Sequence, residues 1–155
     1  MSSKFAAPWR AARSSPGFQP IFNLDTGRVV GYEALARWQH PSRGQIPPDV
    51  FIPIAEQSDA ILEIDETILE KSCRTASLWP QDASIAVNLS TVQFNRSELL
   101  VAKVKAILER TGFDPRRLYL EITESMLMED TPRTRSAIAE LVALAEGGRA
   151  RVAAS

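Results

Sequence analysis

Reactive sulfur and imidazole are scarce in this chain. Cysteine occurs once, at Cys73, and histidine once, at His40. A lone cysteine excludes an internal disulfide and is in keeping with a reducing compartment. It lies in a helical pattern beside Lys71, Ser72 and Arg74 and reads as a buried or half-buried thiol. A single histidine excludes a three-histidine metal site. A Ser-His-Asp triad would have to use His40, which sits in a loop before Pro41 with nothing else to support that role. No run approaches the roughly 18 apolar residues of a spanning helix. Met1 to Pro16 carries Lys4, Arg10 and Arg13 but lacks the compact apolar run of a secretory signal. An excess of charge is also missing: 18 Lys plus Arg stand against 19 Asp plus Glu, a net charge of -1. That gives no support for a general DNA or RNA binder and leaves room only for a local phosphate site. Phosphate-loop, dinucleotide-fold, HExxH and calcium-loop patterns are absent, and there is no internal repeat.

What is present suits one globular domain: 155 residues, 45% hydrophobic and 24% charged. Segment 1–17, rich in Ala, Ser and Pro, reads as poorly ordered. Phe18 to Leu24 and Arg28 to Trp38 read as strands joined by a turn at Asp25-Thr26-Gly27. Gln39 to Pro48 reads as a loop. Asp49 to Ser58 predicts a short helix disturbed by Pro53. A second helix is predicted from Asp65 to Trp79, with Asp65 and Glu66 at its positive N-terminal end. Ala83 to Leu89 reads as a strand and Ser97 to Arg110 as a helix that Ser97 could cap. Gly112 stops that helix and Pro115 prevents its resumption. Leu118 to Ile122 follows as a strand, and Thr131 with Pro132 opens a last helix to about Ala145. This alternation argues for βα units and a mostly parallel sheet.

Three polar groups interrupt apolar strand ends: Glu33, Asn88 and Glu121. In a parallel sheet they could converge near the C-terminal strand ends, where α/β sites form. Two carboxylates and an amide oxygen suit Mg²⁺ or Mn²⁺ better than a thiolate-seeking metal. Spacing alone leaves another reading open, that these groups satisfy nearby backbone and caps. Arg37 follows Glu33 at even spacing, so both occupy one face of a strand. Its guanidinium could hold a phosphate or pair with a carboxylate at the sheet rim. Glu124 could cap a helix or brace a loop.

The motifs, taken in order, resemble the EAL family of bacterial cyclic-di-GMP phosphodiesterases. Gln19-Pro20-Ile21 is similar to the family's opening QPI. Glu33-Ala34-Leu35 is the naming signature, extended by Arg37-Trp38-Gln39-His40-Pro41. Phe51-Ile52-Pro53-Ile54-Ala55-Glu56, Val87-Asn88-Leu89-Ser90 and Leu120-Glu121-Ile122-Thr123-Glu124-Ser125 follow in the family's order. The resemblance spans about residues 18–146. It implies an α/β fold, a TIM-type (β/α) barrel with an antiparallel first strand. It implies Glu33, Asn88 and Glu121 as ligands of Mg²⁺ or Mn²⁺, Gln19 and Arg37 as dinucleotide contacts, Leu35 in the substrate groove, and Glu124 as a stabiliser of a mobile loop that helps organise a second metal and dimerisation. The family reaction is metal-dependent hydrolysis of cyclic-di-GMP to linear pGpG in the cytoplasm.

A full eight-stranded barrel takes about 250 residues, so the expectation here is an incomplete one. Where the family carries a DDFG motif, this sequence reads Gly147-Gly148-Arg149-Ala150-Arg151, so 147–155 is taken as a divergent tail. The family's later lysine and glutamate, which handle the water and second metal, and its distal glutamine of the guanine site have no counterpart, and no catalytic set is complete in this chain. The expected outcome is a chain inactive by itself, with weak cyclic-di-GMP binding at most. The alternatives are a degenerate binding or interaction module, a non-functional fragment, or a homodimer or complementing EAL half that completes the site. No DNA or membrane partner is expected. An unclosed barrel also predicts that Ile85, Val87, Leu118 and Leu120 expose an apolar inward face.

Overall fold

The computed structural model describes residues 13–80, 82–122, 128, 131–146 and 151–154. The chain opens with an antiparallel hairpin of β1 (Ser14–Phe22) and β2 (Val29–His40). Its turn is built by Asn23, whose Oδ1 accepts the amide hydrogens of Asp25 and Thr26, each at 2.9 Å. That is the local bonding that makes asparagine a turn former. A short β3 (Gly44–Ile46) folds back on the end of β2, inside the segment whose prolines predicted only a loop. His40 holds this turn: its Nδ1 accepts the backbone N–H of Ser42 and of Arg43, both at 3.2 Å.

Two helices follow, α1 (Pro48–Glu56) and α2 (Ala60–Ala76). Pro53 lies inside α1 without ending it. The start of α2 corrects the sequence expectation. Ile61 and Ile64 extend the Ile68, Leu69, Cys73 and Ala76 stripe by one and two turns, and all six are buried. Asp65 is therefore not at a helix N-terminus but in the interior of α2.

The chain continues through β4 (Ser84–Asn88), α3 (Thr91–Asn95), α4 (Ser97–Thr111), a 3-10 turn (Pro115–Arg117), β5 (Leu118–Ile122), α5 (Pro132–Glu146) and β6 (Arg151–Ala154). The helix α3 is not foreseen in the sequence; Ser90 caps it by accepting the Gln93 N–H at 3.4 Å. Arg96 takes the N-cap position of α4 and Ser97 is its first helical residue, so the cap position lies one residue before the one expected. The segment taken as a tail contains β6, which pairs in parallel with β5.

The strand order is β1-β2-β4-β5-β6, with β3 hanging from β2. Only the hairpin contacts are antiparallel; β2-β4, β4-β5 and β5-β6 are parallel. Among the described residues β1 and β6 do not meet, so the sheet stays open. This is an incomplete TIM-barrel-like α/β fold with an antiparallel first strand.

One face of the sheet carries the core. Ala34 and Trp38 of β2, Ile85 and Val87 of β4, and Leu118, Leu120 and Ile122 of β5 pack with Phe51, Ile61, Ile64 and Ile68 beneath the helices. Each large side chain buried in this way contributes about 2 kcal/mol. The expected apolar inward face is thereby overturned: Ile85 is 0% exposed and Leu118 2%. The reason is strand parity. Asn88 and Glu121 occupy the other phase of the pleat, so Ile85, Val87, Leu118 and Leu120 must turn towards the helices. The uncovered face carries Gln19, Glu33, Ala86, Asn88, Tyr119 and Glu121 instead.

Candidate functional site

Four adjacent strands bring the polar residues of that face together. Gln19 of β1 is directly opposite Glu33 of β2. Glu33 aligns with Ala86 on β4, two residues before Asn88. Asn88 in turn aligns with Glu121 on β5. The Asn88 amide donates from Nδ2 to Glu33 Oε1 at 3.1 Å. The chain is also tied across the strand ends, where the Leu89 N–H donates to the Glu121 carbonyl at 2.9 Å.

Electrostatics at this point favour a cation. The Glu121 carboxyl is pushed above its ordinary range, first by partial removal from water and then by the negative charge of Glu33. Two carboxylates held near each other without a counter-charge repel, and a divalent ion would relieve both terms. Among the described residues no three His, Cys, Asp or Glu side chains form a metal cluster. The donor set here has two carboxylates and one amide, and all three offer oxygen. It can hold a hard ion such as Mg²⁺ or Mn²⁺.

Next to this set, beside the middle of β2 and the C-terminal end of β4, lies a cavity of about 300 Å³. Leu35, Ala34, Ile52, Ile61 and Leu89 give it apolar walls, while Asn88, Glu56 and Asp65 bring polar groups to it. Asp65 is the residue that sequence reasoning missed. Its carboxyl is pushed up to about 6, mainly by burial, with the negative charge of Glu56 adding to the effect. Ser90 opposes the shift by donating its backbone N–H to Asp65 Oδ2 at 3.3 Å. The missed signal is positional: Asp65 lies four residues after Ile61 and three before Ile68, within the apolar stripe.

Arg37 projects from the same strand phase as Glu33, is exposed, and makes no hydrogen bond or ion pair among the described residues. The rim-pair alternative for Arg37 thus has no partner there. Glu124 lies outside the described residues. His40 serves the β2–β3 turn, and Trp79 packs against Phe18 and Tyr32 at ring-centroid distances of 4.9 and 4.7 Å.

Comparison with known proteins agrees with this arrangement. The EAL domain model matches residues 6–146. Protein y4lL of Sinorhizobium fredii is 46% identical over 124 residues, covering 80% of this chain and 15% of its own length. The bifunctional diguanylate cyclase/cyclic di-GMP phosphodiesterase MucR of Pseudomonas aeruginosa is 39% identical over 134 residues, covering 84% of this chain and 19% of its own length. The solved PaMucR phosphodiesterase in complex with c-di-GMP has a TM-score of 0.84 at 33% identity, over 98% of this chain and 60% of that one. The chain thus spans less than a fifth of these two curated relatives. With its motifs, its antiparallel opening strand and a family match across most of its length, the chain belongs to the EAL domain family.

Proposed function

We propose that this chain binds cyclic-di-GMP where the middle of β2 meets the C-terminal ends of β4 and β5, and supplies one part of a metal-dependent cyclic-di-GMP phosphodiesterase site. The observation that carries this reading is the Glu33–Asn88 contact of 3.1 Å beside a Glu121 carboxyl that its surroundings disfavour as an anion. Glu33, Asn88 and Glu121 would hold Mg²⁺ or Mn²⁺, the Asn88 amide through its oxygen. When bound, the ion polarises a phosphodiester oxygen and lowers the pKa of a coordinated water. Arg37 would face a phosphate with its two-donor edge and Gln19 would orient the dinucleotide from β1. Leu35, which lines the cavity, would exclude water from the groove. Glu124 is proposed to stabilise the neighbouring loop. The parent reaction yields linear pGpG in the cytoplasm.

The ligand set in this chain suits a single ion. In-line hydrolysis also needs groups that orient the attacking water and stabilise the leaving oxygen. We assign those to groups outside residues 1–155, so these residues by themselves bind without turning over. Calorimetry with cyclic-di-GMP, with and without Mg²⁺, tests the binding. The expected affinity is no better than tens of micromolar, about 6 kcal/mol, and it is lost in Glu33→Ala. Chromatographic assay for pGpG tests the chemistry. Robust turnover by the purified chain that Glu33→Ala abolishes would refute the division of labour. Sub-micromolar affinity without turnover would instead favour a dedicated binding module.

A further inference from the structure

Gly17 lies in the middle of β1, opposite Leu35. Its backbone is not in the left-handed region, since the positive-φ glycines are Gly27, Gly44 and Gly112. Strand geometry therefore does not require glycine at this position, and glycine weakens a strand. The space that a side chain would take there is instead occupied by Arg37. A Cβ built on Gly17 would lie 1.8 Å from Arg37 Nε, 2.7 Å from Cζ and 2.8 Å from Cδ. All three atoms belong to the end of the Arg37 side chain.

The register shows the direction of that side chain. Arg37 is directly opposite Ser15, Leu35 opposite Gly17, and Glu33 opposite Gln19. By lying over Gly17, the guanidinium has leaned one row along the face, towards the Gln19–Glu33 pair. It crosses from β2 onto β1 with no ion pair or hydrogen bond to hold it among the described residues. The missing side chain of Gly17 is the feature of the sheet that permits this placement.

We infer that Gly17 is a positioning residue: it provides the seat that aims the Arg37 guanidinium at the phosphodiester of the ligand. A long, flexible cation loses rotamer freedom when it binds, and a seat that confines it beforehand reduces that loss. The planar guanidinium keeps a two-donor edge for a phosphate while its flat side rests on the strand. The ligand class is an anionic phosphodiester lying across β1 and β2. This inference rests on the reading above that Arg37 meets a phosphate of the dinucleotide.

Gly17→Ala and Gly17→Val separate the two claims in the full chain. Urea midpoints of both variants should equal or exceed that of the parent, because only a side-chain end is displaced. The first readout needs no ligand: the ¹H–¹⁵N cross-peak of Arg37 Nε–H, assigned by its loss in Arg37→Lys. It is expected to be shifted and ordered in the parent, and to move to the position of exposed Arg28 and Arg43 in Gly17→Val. A parent signal already identical to those two overturns the seat. The second readout is titration with cyclic-di-GMP and Mg²⁺. Gly17→Val and Arg37→Ala should each weaken binding by about tenfold, and the double variant by no more than either alone. Full affinity in Gly17→Val with weakened binding in Arg37→Ala overturns the positioning role and leaves the functional reading standing. An Arg37→Ala chain that binds like the parent, or a parent that does not bind, defeats the functional reading, and with it the assignment of Gly17 to ligand recognition.

Discussion

Replacing Asp65 by asparagine should stabilise the chain at neutral pH. An aspartate of ordinary pKa 3.8 is held at about 6 inside α2, against the cavity and near Glu56. Ionising it there costs about 3 kcal/mol more than in the unfolded chain, at about 1.4 kcal/mol per tenfold change in proton affinity. That cost is already net of the Ser90 hydrogen bonds, which favour the charged form, and asparagine keeps an acceptor for the Ser90 N–H. The net gain at pH 7 is therefore about 3 kcal/mol. The pH dependence carries the argument. Between pH 4 and 6 the folded chain retains a proton that the unfolded chain has lost. The Asp65 contribution to stability thus falls as pH rises through that window and remains low above it. Below pH 4 aspartate is neutral in both states and the advantage of asparagine disappears. Urea denaturation of parent and Asp65→Asn at half-unit steps from pH 4 to 8 measures this, and a slope of about 2 kcal/mol/M converts the gain into a midpoint shift of about 1.5 M. The difference between the two curves cancels every other titrating group. A difference that is flat with pH, or an asparagine variant weaker than the parent at pH 7, would refute the reasoning.

Other residues give shorter tests. Arg117 is buried and donates to the carbonyls of Ala83 at 2.6 Å, Pro80 at 3.0 Å and Ala76 at 3.2 Å. Arg117→Met strands those acceptors and should cost about 3 kcal/mol in urea denaturation, with Arg117→Lys recovering little because it lacks the fork. Cys73 is fully buried and its thiol is pushed up to about 12, so native protein should react with a disulfide reagent only as fast as it unfolds. Gly112 ends α4 at φ 65, and Gly112→Ala should lower stability by about 1 kcal/mol through strain at that position. Glu33→Gln should stabilise the metal-free chain slightly, by relieving the repulsion on Glu121, while weakening Mn²⁺ binding measured by electron paramagnetic resonance.

Much of the fold was legible because its elements are marked at their ends. Asp25-Thr26-Gly27 marks the hairpin turn, and Gly112 with Pro115 separates α4 from β5. The candidate site was legible for a related reason: Glu33, Asn88 and Glu121 are polar residues that interrupt apolar runs, and the register of β2, β4 and β5 carries them to one face, although Glu33 lies in the middle of β2 and not at its end. The facing of the apolar residues was harder. Ile85-Ala86-Val87 is a run without alternation, and such a run does not announce which side is buried. The phase was nevertheless recoverable from Asn88 and Glu121, since residues two apart share a face. The start of α2 was misjudged because Asp65 and Glu66 looked like first-turn acids, although Ile61 and Ile64 already continue the helical period. The contact between Gly17 and Arg37 had no local signal. It depends on the cross-strand register of β1 and β2, and only pairing reveals which residue a long side chain will cover.

The division of the sheet into a helix-packed face and a polar face has a consequence for how such a sequence can change. Along β2, β4 and β5 neighbouring positions answer to different demands: one phase to packing density, the other to charge and ligand geometry. Substitutions in the second phase can accumulate while the first keeps the sheet assembled. A lineage can therefore lose, retune or redirect its chemistry by single steps at alternate positions and still present the same fold. Packing and ligand geometry are written in the same strands, yet they are separately editable.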